Sequence, residues 1–247
     1  METSLIILSL CLIASSTSAV KSEDSGCGVP PLFWCFNEQL ATQCKVQKEC
    51  EQYRTTHIDK PVHLTLYYES LCGYCQRYIT QILKETIPQF KPTQLKVDFV
   101  PSGNAKLLPN GSIACMHGPA ECALNKYESC AIHYIEPAWQ FLACLESDVE
   151  NPEQTKKLCY EKLDIPQSIQ RKISTCYKGE LGDKLDRQAF DRTQSLKPDE
   201  HTFVPWLAVE GYSFEAAQLL LLTAKPHSLV KVICLLLQGP LPSVCHP

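Results

Sequence analysis

Cysteine is the first constraint on this chain. There are 15 among 247 residues, a content that reducing cytosol does not support and that oxidising compartments turn into disulfides. The N-terminus agrees with a secretory route. Leu5 to Ala14 form an apolar run and Ser15 to Ala19 offer small residues for cleavage after Ala19, so residues 1–19 read as a signal peptide. Its start carries Glu2 and no Lys or Arg, and the run is shorter than the roughly 20 residues of a membrane span. An uncleaved anchor is the competing reading. Removing residues 1–19 removes Cys11 and leaves an even set of fourteen cysteines.

The remaining composition is that of a globular protein, with 20% charged residues and a formal net charge of −4. No basic stripe or like-charge block is present, which argues against nucleic acid as a partner. One glycosylation sequon occurs, Asn110-Gly111-Ser112, in a Gly/Pro/Asn loop suited to the surface.

Three regions separate after this reading: the targeting segment, a short cysteine-dense stretch in residues 20–56, and a main domain in residues 57–247. The stretch holds Cys27, Cys35, Cys44 and Cys50 and is too short to bury a core, so disulfides must hold it. Val62 to Tyr68, rich in β-branched and aromatic residues, reads as a central strand. Ser70 offers an N-cap, and Tyr78, Ile79, Ile82 and Leu83 continue at helical spacing to about Thr86. Leu95 to Val100 alternates as a second strand, and Pro101 to Gly111 reads as loop. Residues 118–196 show helical spacing broken at Pro137, Pro152 and Pro166. Phe203 to Val209 is strand-like, Glu210-Gly211 a tight turn, Tyr212 to Phe214 the return strand, and Glu215 to Gln238 a mostly apolar final helix with a kink at Pro226. Lys225, His227 and Lys231 in that last run make it amphipathic rather than a membrane span. The order β, α, β, helices, β, β, α is that of an α/β, thioredoxin-like fold with an inserted helical subdomain.

The pair Cys72-Gly73-Tyr74-Cys75 falls where the first strand gives way to a helix. Two intervening residues put both sulfurs on one turn, close enough to cycle between dithiol and disulfide. The helix N-terminus, with unpaired N–H groups and partial positive charge, favours thiolate at Cys72. Cys72 is then the expected nucleophile and Cys75 the resolving thiol. An inert disulfide and half of a zinc site are the alternatives; the latter lacks a second C-x-x-C, and Cys115 with His117 is poor ligand spacing. No metal or cofactor is called for. The other candidates for structural disulfides in the main domain are Cys115, Cys122, Cys130, Cys144, Cys159, Cys176, Cys234 and Cys245, with connectivity left open. Val204-Pro205, read as opening the strand after the helices, is the expected substrate-facing wall beside the pair. In thioredoxin-like folds a cis-proline stands there.

Residues 115–130 read CMHGPAECALNKYESC. This resembles the signature C-Q-H-G-x-x-E-C-x-x-N-x-x-x-x-C of the gamma-interferon-inducible lysosomal thiol reductase family, with Met116 in place of Gln. The similarity continues through Leu66 to Cys75, Pro101 to Ala105 and Val204 to Trp206. It implies a reductase of protein disulfides working at acidic pH in endosomes or lysosomes, with Cys72 and Cys75 as its redox residues. A small thiol such as glutathione or cysteine is the implied reductant. The signature itself reads as structural, its cysteines stapling the inserted helices, with His117 near the thiols as the alternative. The N-terminal stretch resembles a saposin A-type module. Acid operation demands a strongly lowered Cys72 pKa, to which His63, His117 or His201 can contribute if one folds nearby. An oxidase or isomerase, and a non-enzymatic secreted binding protein, are the rival functions.

Overall fold

The structure is a computed structural model that describes residues 31–222 and 225–246. The expected signal peptide and Cys27 lie outside the described residues. The chain is a mixed α/β protein with several disulfides. Two short helices, α1 (Glu38–Gln43) and α2 (Gln47–His57), lie near the start of the described residues, and Cys35–Cys50 ties the segment before α1 to α2. Cys44 is also disulfide-bonded. Phe33 from this segment is buried in the main core.

Strand β1 (Val62–Tyr68) is buried at every position but His63, as a strand flanked on both edges and covered on both faces must be. It pairs in parallel with β2 (Leu95–Pro101), from Val62↔Leu95 to Tyr68↔Pro101. Between them the chain crosses through one continuous helical run: α3 (Gly73–Arg77), a π-helical stretch (Tyr78–Leu83) and α4 (Lys84–Thr86). Two-residue strands β3 (Lys106–Leu107), inside the expected loop, and β4 (Ile113–Ala114), just beyond it, then form a small hairpin.

Five helices follow: α5 (Pro119–Tyr134), α6 (Trp139–Leu145), α7 (Pro152–Lys162), α8 (Gln167–Lys178) and α9 (Glu180–Gln194). Proline marks their boundaries as read from sequence. Pro152 stands at the first turn of α7, where its missing N–H costs nothing, and Pro166 caps α8. The chain returns as β5 (Trp206–Val209), antiparallel to β1, and β6 (Tyr212–Ser213), giving the order β2-β1-β5-β6. Glu210 and Gly211 both have positive φ (51° and 80°), the two-residue turn that matches strand twist. Helices α10 (Glu215–Leu221) and α11 (Pro226–Leu236) close the fold.

Alternation along β1 divides the core. Leu64, Leu66 and Tyr68 join Ile79, Leu83, Leu207 and Ile233 on one face. Tyr67 joins Val100, Ala189 and Trp206 on the other. A third apolar cluster, with Leu124, Phe141, Leu145 and Ile173, fills the interior of α5–α9. Two disulfides cross that cluster, Cys130–Cys176 and Cys144–Cys159, while Cys234–Cys245 pins the C-terminus to α11. No helix among the described residues is long and apolar enough to cross a membrane.

Three boundaries differ from the sequence reading. Ser70 does not cap the first helix: its N–H donates to Asn125 Oδ1 at 3.0 Å and its hydroxyl to the Glu121 carbonyl, which ties it to α5. Cys72 is the N-cap instead. Strand β5 starts at Trp206, so Val204 and Pro205 precede it rather than open it. The final helix is two helices, because Pro226 forces the preceding Lys225 into an extended conformation.

Candidate active site

The C-terminal end of β1 delivers the chain into the redox pair. Cys72 has extended backbone angles, and its sulfur accepts the Cys75 N–H at 3.4 Å, the place where a serine or aspartate oxygen stands in an ordinary N-cap. It is 8% exposed, and Cys75 is fully buried. Among the described residues these two are the free cysteines. Hydrogen bonding to Cys72 and burial of Cys75 set their inequality. The Cys75 thiol and the Cys75 and Tyr74 N–H groups hold Cys72 down at about 7, against burial and the Glu69 carboxylate, which push it up. Burial, together with the Cys72 sulfur beside it, pushes Cys75 far above the ordinary thiol range. At pH 5 a thiol of pKa 7 is ionised to about one part in 10², against one part in 10³ or less for an unperturbed thiol.

Cys72 opens on a cavity of about 1220 Å³ whose walls include Tyr74, Asn104, Met116, His117, Phe203 and Val204. The Val204 carbonyl lies 3.9 Å from the Cys72 sulfur, and the Val204–Pro205 peptide is cis. Of the two residues expected from sequence as the substrate-facing wall, Val204 reaches the pair from just before β5, while Pro205 is buried behind it and is not among the residues lining the cavity.

The signature residues assemble the opposite wall. Cys115–Cys122 closes a short loop in which the Gly118 N–H donates to the Cys115 carbonyl and Gly118 adopts φ 84°, a conformation that favours glycine. That turn carries His117 to the cavity. Glu121, one turn into α5, accepts the His117 backbone N–H at 3.0 Å and the ring Nδ1–H at 2.6 Å. Asn125, a further turn on, holds the loop leading into Cys72 through Ser70. Met116 replaces glutamine at an exposed position and accepts from the Asn104 amide at 3.6 Å, leaving the disulfide untouched. The stretch read as structural thus staples the fold and also presents His117. Of the other two histidines considered, His63 sits at the far end of β1, and His201 does not line the cavity.

Sequence reading missed the buried acids around this site. Glu69 is fully buried; its Oε1 accepts the Asn104 N–H at 2.6 Å and its Oε2 lies 3.5 Å from His117 Nδ1. Gly103 permits this approach, since a Cβ there would stand 2.3 Å from Glu69 Cγ. The ligand atoms of Glu69, His117 and Glu121 fall within 4.8 Å of one another. However, the 2.6 Å His117–Glu121 contact is a hydrogen bond, closer than the roughly 3.3 Å between ligands around a tetrahedral zinc. In this arrangement His117 and Glu121 are bound to each other by that hydrogen bond. Of the three, His117 and Glu121 fall on fixed positions of the signature, and Glu69 lies in the similar stretch Leu66 to Cys75.

A second buried acid pair lies within electrostatic reach of both thiols. Glu128 of α5 accepts the Tyr68 hydroxyl at 2.7 Å, and Glu146 follows the last turn of α6. Burial raises both carboxyls, and Glu128 raises Glu146 further. The folded state therefore keeps a proton that the unfolded chain has released by neutral pH. The associated stability is full below the ordinary carboxylate pKa of about 4.3 and is lost as pH rises through the raised folded values. Urea unfolding of the wild type should show stability falling between pH 5 and pH 8. Glu146→Gln should flatten that slope and exceed wild type at pH 8 by on the order of 1–3 kcal/mol. A wild-type curve flat across this range would contradict a proton retained on the buried acids.

Residues 63–163 match the family model "Gamma interferon inducible lysosomal thiol reductase". The chain is 30% identical over 249 residues to the gamma-interferon-inducible lysosomal thiol reductase of Carassius auratus, covering 98% of this chain and 92% of that protein. It is 30% identical over 213 residues to the protein of the same name from Mus musculus, covering 83% and 80% respectively. A gamma-interferon-responsive lysosomal thiol protein of Arabidopsis thaliana is 33% identical over 190 residues, 75% of this chain and 76% of that one.

Proposed function

This chain belongs to the gamma interferon inducible lysosomal thiol reductase family and is a thiol–disulfide reductase; on that premise we propose that Cys72 attacks substrate disulfides and Cys75 resolves them, in an acidic endosomal, lysosomal or secreted setting. The observation that carries this reading is the Cys72 sulfur capping a helix N-terminus with the Cys75 thiol as its second donor. Thiolate is the attacking species, and this environment makes it available in acid. The Cys72 thiolate forms a mixed disulfide with one substrate sulfur and expels the other. Cys75 then attacks the Cys72 sulfur, releases the reduced substrate and leaves the Cys72–Cys75 disulfide for a small thiol such as glutathione or cysteine to reduce. Val204, backed by Pro205, forms the wall along which an extended substrate segment lies, its backbone facing the Val204 carbonyl.

We infer the rest of the organisation from the sequence pattern. Residues 1–19 are a signal peptide, 20–56 a saposin A-type module and 57–247 a thioredoxin-like domain carrying its helical insertion over about 118–196. The strand order β2-β1-β5-β6, with five helices between β2 and β5, supports that description. Asn110 is the glycan acceptor. It is exposed, and its side chain accepts from the Ser112 N–H and hydroxyl in a tight polar turn. Abundant disulfides suit the secretory pathway.

Reduction of a disulfide-bonded protein at pH 5, with cysteine as donor, tests the direction of the reaction. Multiple turnovers of substrate per enzyme are expected. Net oxidation of a reduced substrate under the same thiol poise would instead make the protein an oxidase.

A further inference from the structure

His117 stands in an arrangement that a staple for the fold does not require. Two buried carboxylates face the Nδ1 edge of its ring, Glu121 at 2.6 Å and Glu69 at 3.5 Å. Because the near partner is a carboxylate, Nδ1 carries a proton and donates it. The side chain remains 41% exposed and His117 lines the cavity shared with Cys72, which leaves the Nε2 edge, opposite the two carboxylates, as the edge free to meet a substrate there. Nε2 makes no hydrogen bond among the described residues. The Glu121 hydrogen bond, then the charges of Glu121, Glu69 and Cys72, favour the imidazolium.

Disulfide attack is nearly in line. With sulfur–sulfur bonds of about 2.05 Å, the leaving sulfur stands about 4 Å beyond Cys72 Sγ, out in the cavity rather than at the helix N-terminus. The N–H groups that stabilise the Cys72 thiolate therefore do not serve the thiolate that departs. Arg77 and Lys106 also line the cavity. A guanidinium or an ammonium binds its proton more tightly than an alkyl thiolate does, and so is a poor acid toward it. An imidazolium is a stronger acid than an alkyl thiol and gives up its proton readily.

We propose that His117 is a catalytic acid that protonates the substrate thiolate expelled by Cys72, with Glu121 and Glu69 as its positioning residues. This rests on the reading of Cys72 as nucleophile. The proton balance closes without another reactant. The reactive form of the reduced enzyme, about one part in 10² at pH 5, holds a Cys72 thiolate and a His117 imidazolium. The Cys72 sulfur bonds to one substrate sulfur, the substrate S–S bond breaks, and its electron pair leaves on the second sulfur. That sulfur takes the Nε2 proton, giving a free thiol and neutral imidazole. In the second step Cys75 gives up its proton to the second departing substrate sulfur and bonds to Cys72. Reduction by a small thiol restores the starting protons.

The test compares leaving groups. Pre-reduced full-length protein and its His117→Asn variant react in single turnovers at pH 5 with two disulfides. One is a nitroaryl disulfide, whose arylthiolate leaves without a proton; the other is oxidised glutathione, whose alkylthiolate needs one. His117→Asn should slow the alkyl disulfide about 10²-fold and the nitroaryl disulfide less than about threefold. Equal slowing of both, or no slowing of the alkyl disulfide, would overturn the proposal. Reaction with the nitroaryl disulfide reports that the variant is folded. Glu121→Gln, which keeps an oxygen acceptor for Nδ1–H but removes the charge, should show the same selectivity in smaller measure and carries the test if His117→Asn does not fold. Cys72→Ser must lose both substrates. If it keeps either one, the nucleophile has been misassigned, a failure separate from that of His117.

Discussion

Cys72→Ser should abolish disulfide reduction, by at least about 10³-fold in kcat/KM, without loss of thermal stability. The serine hydroxyl can take the sulfur's place as acceptor of the Cys75 N–H, so the cap survives. What disappears is the group that ionises at about 7. A serine hydroxyl stays protonated in acid and does not form a disulfide. Rate and melting temperature measured on the same preparation separate the two effects. A variant that melts early would place a structural role on Cys72, and one that still reduces substrate would place the chemistry elsewhere.

The second large effect concerns stability. Cys130 and Cys176 join α5 to α8 across 46 residues, at positions 0% and 2% exposed. A bond closing a loop of that length removes about 4 kcal/mol of chain entropy from the unfolded state. Cys130→Ala with Cys176→Ala should therefore destabilise the protein by about 4 kcal/mol, with the apolar cluster of α5–α9 loosening first. Cys115–Cys122 spans only 7 residues and should cost less globally. Its loss should instead appear as reduced activity, because it shapes the turn that carries His117. Chemical unfolding of the two double variants, beside their reduction rates, checks this division.

Local pattern made much of the fold readable. The VHLTLYY run announced a central strand, and Glu210-Gly211 announced a hairpin, because both signals are carried by neighbouring residues. Pro152 and Pro166 marked helix starts for the same reason. The redox pair was readable because C-x-x-C, strand and helix are contiguous in sequence. What escaped depends on contacts between distant segments. Ser70 looked like a helix cap, but Asn125, 55 residues away, takes its N–H. Glu69 and Glu146 look like ordinary surface acids until the chain folds and buries them. The disulfide partners of Cys130 and Cys144 were likewise open, since cysteine spacing alone does not order the helices. His117 was legible as part of a signature but not as a wall of the cavity, because its orientation comes from Glu121 and the Gly118 turn acting together.

The measurement that tests the central claim most directly is covalent capture. A Cys75→Ser variant, offered a disulfide-bonded protein at pH 5 and mapped by peptide mass spectrometry, should accumulate a mixed disulfide through Cys72, releasable by a small thiol. An adduct through any other cysteine, or none while wild type turns the same substrate over, would contradict Cys72 as the attacking sulfur and Cys75 as the one that resolves it.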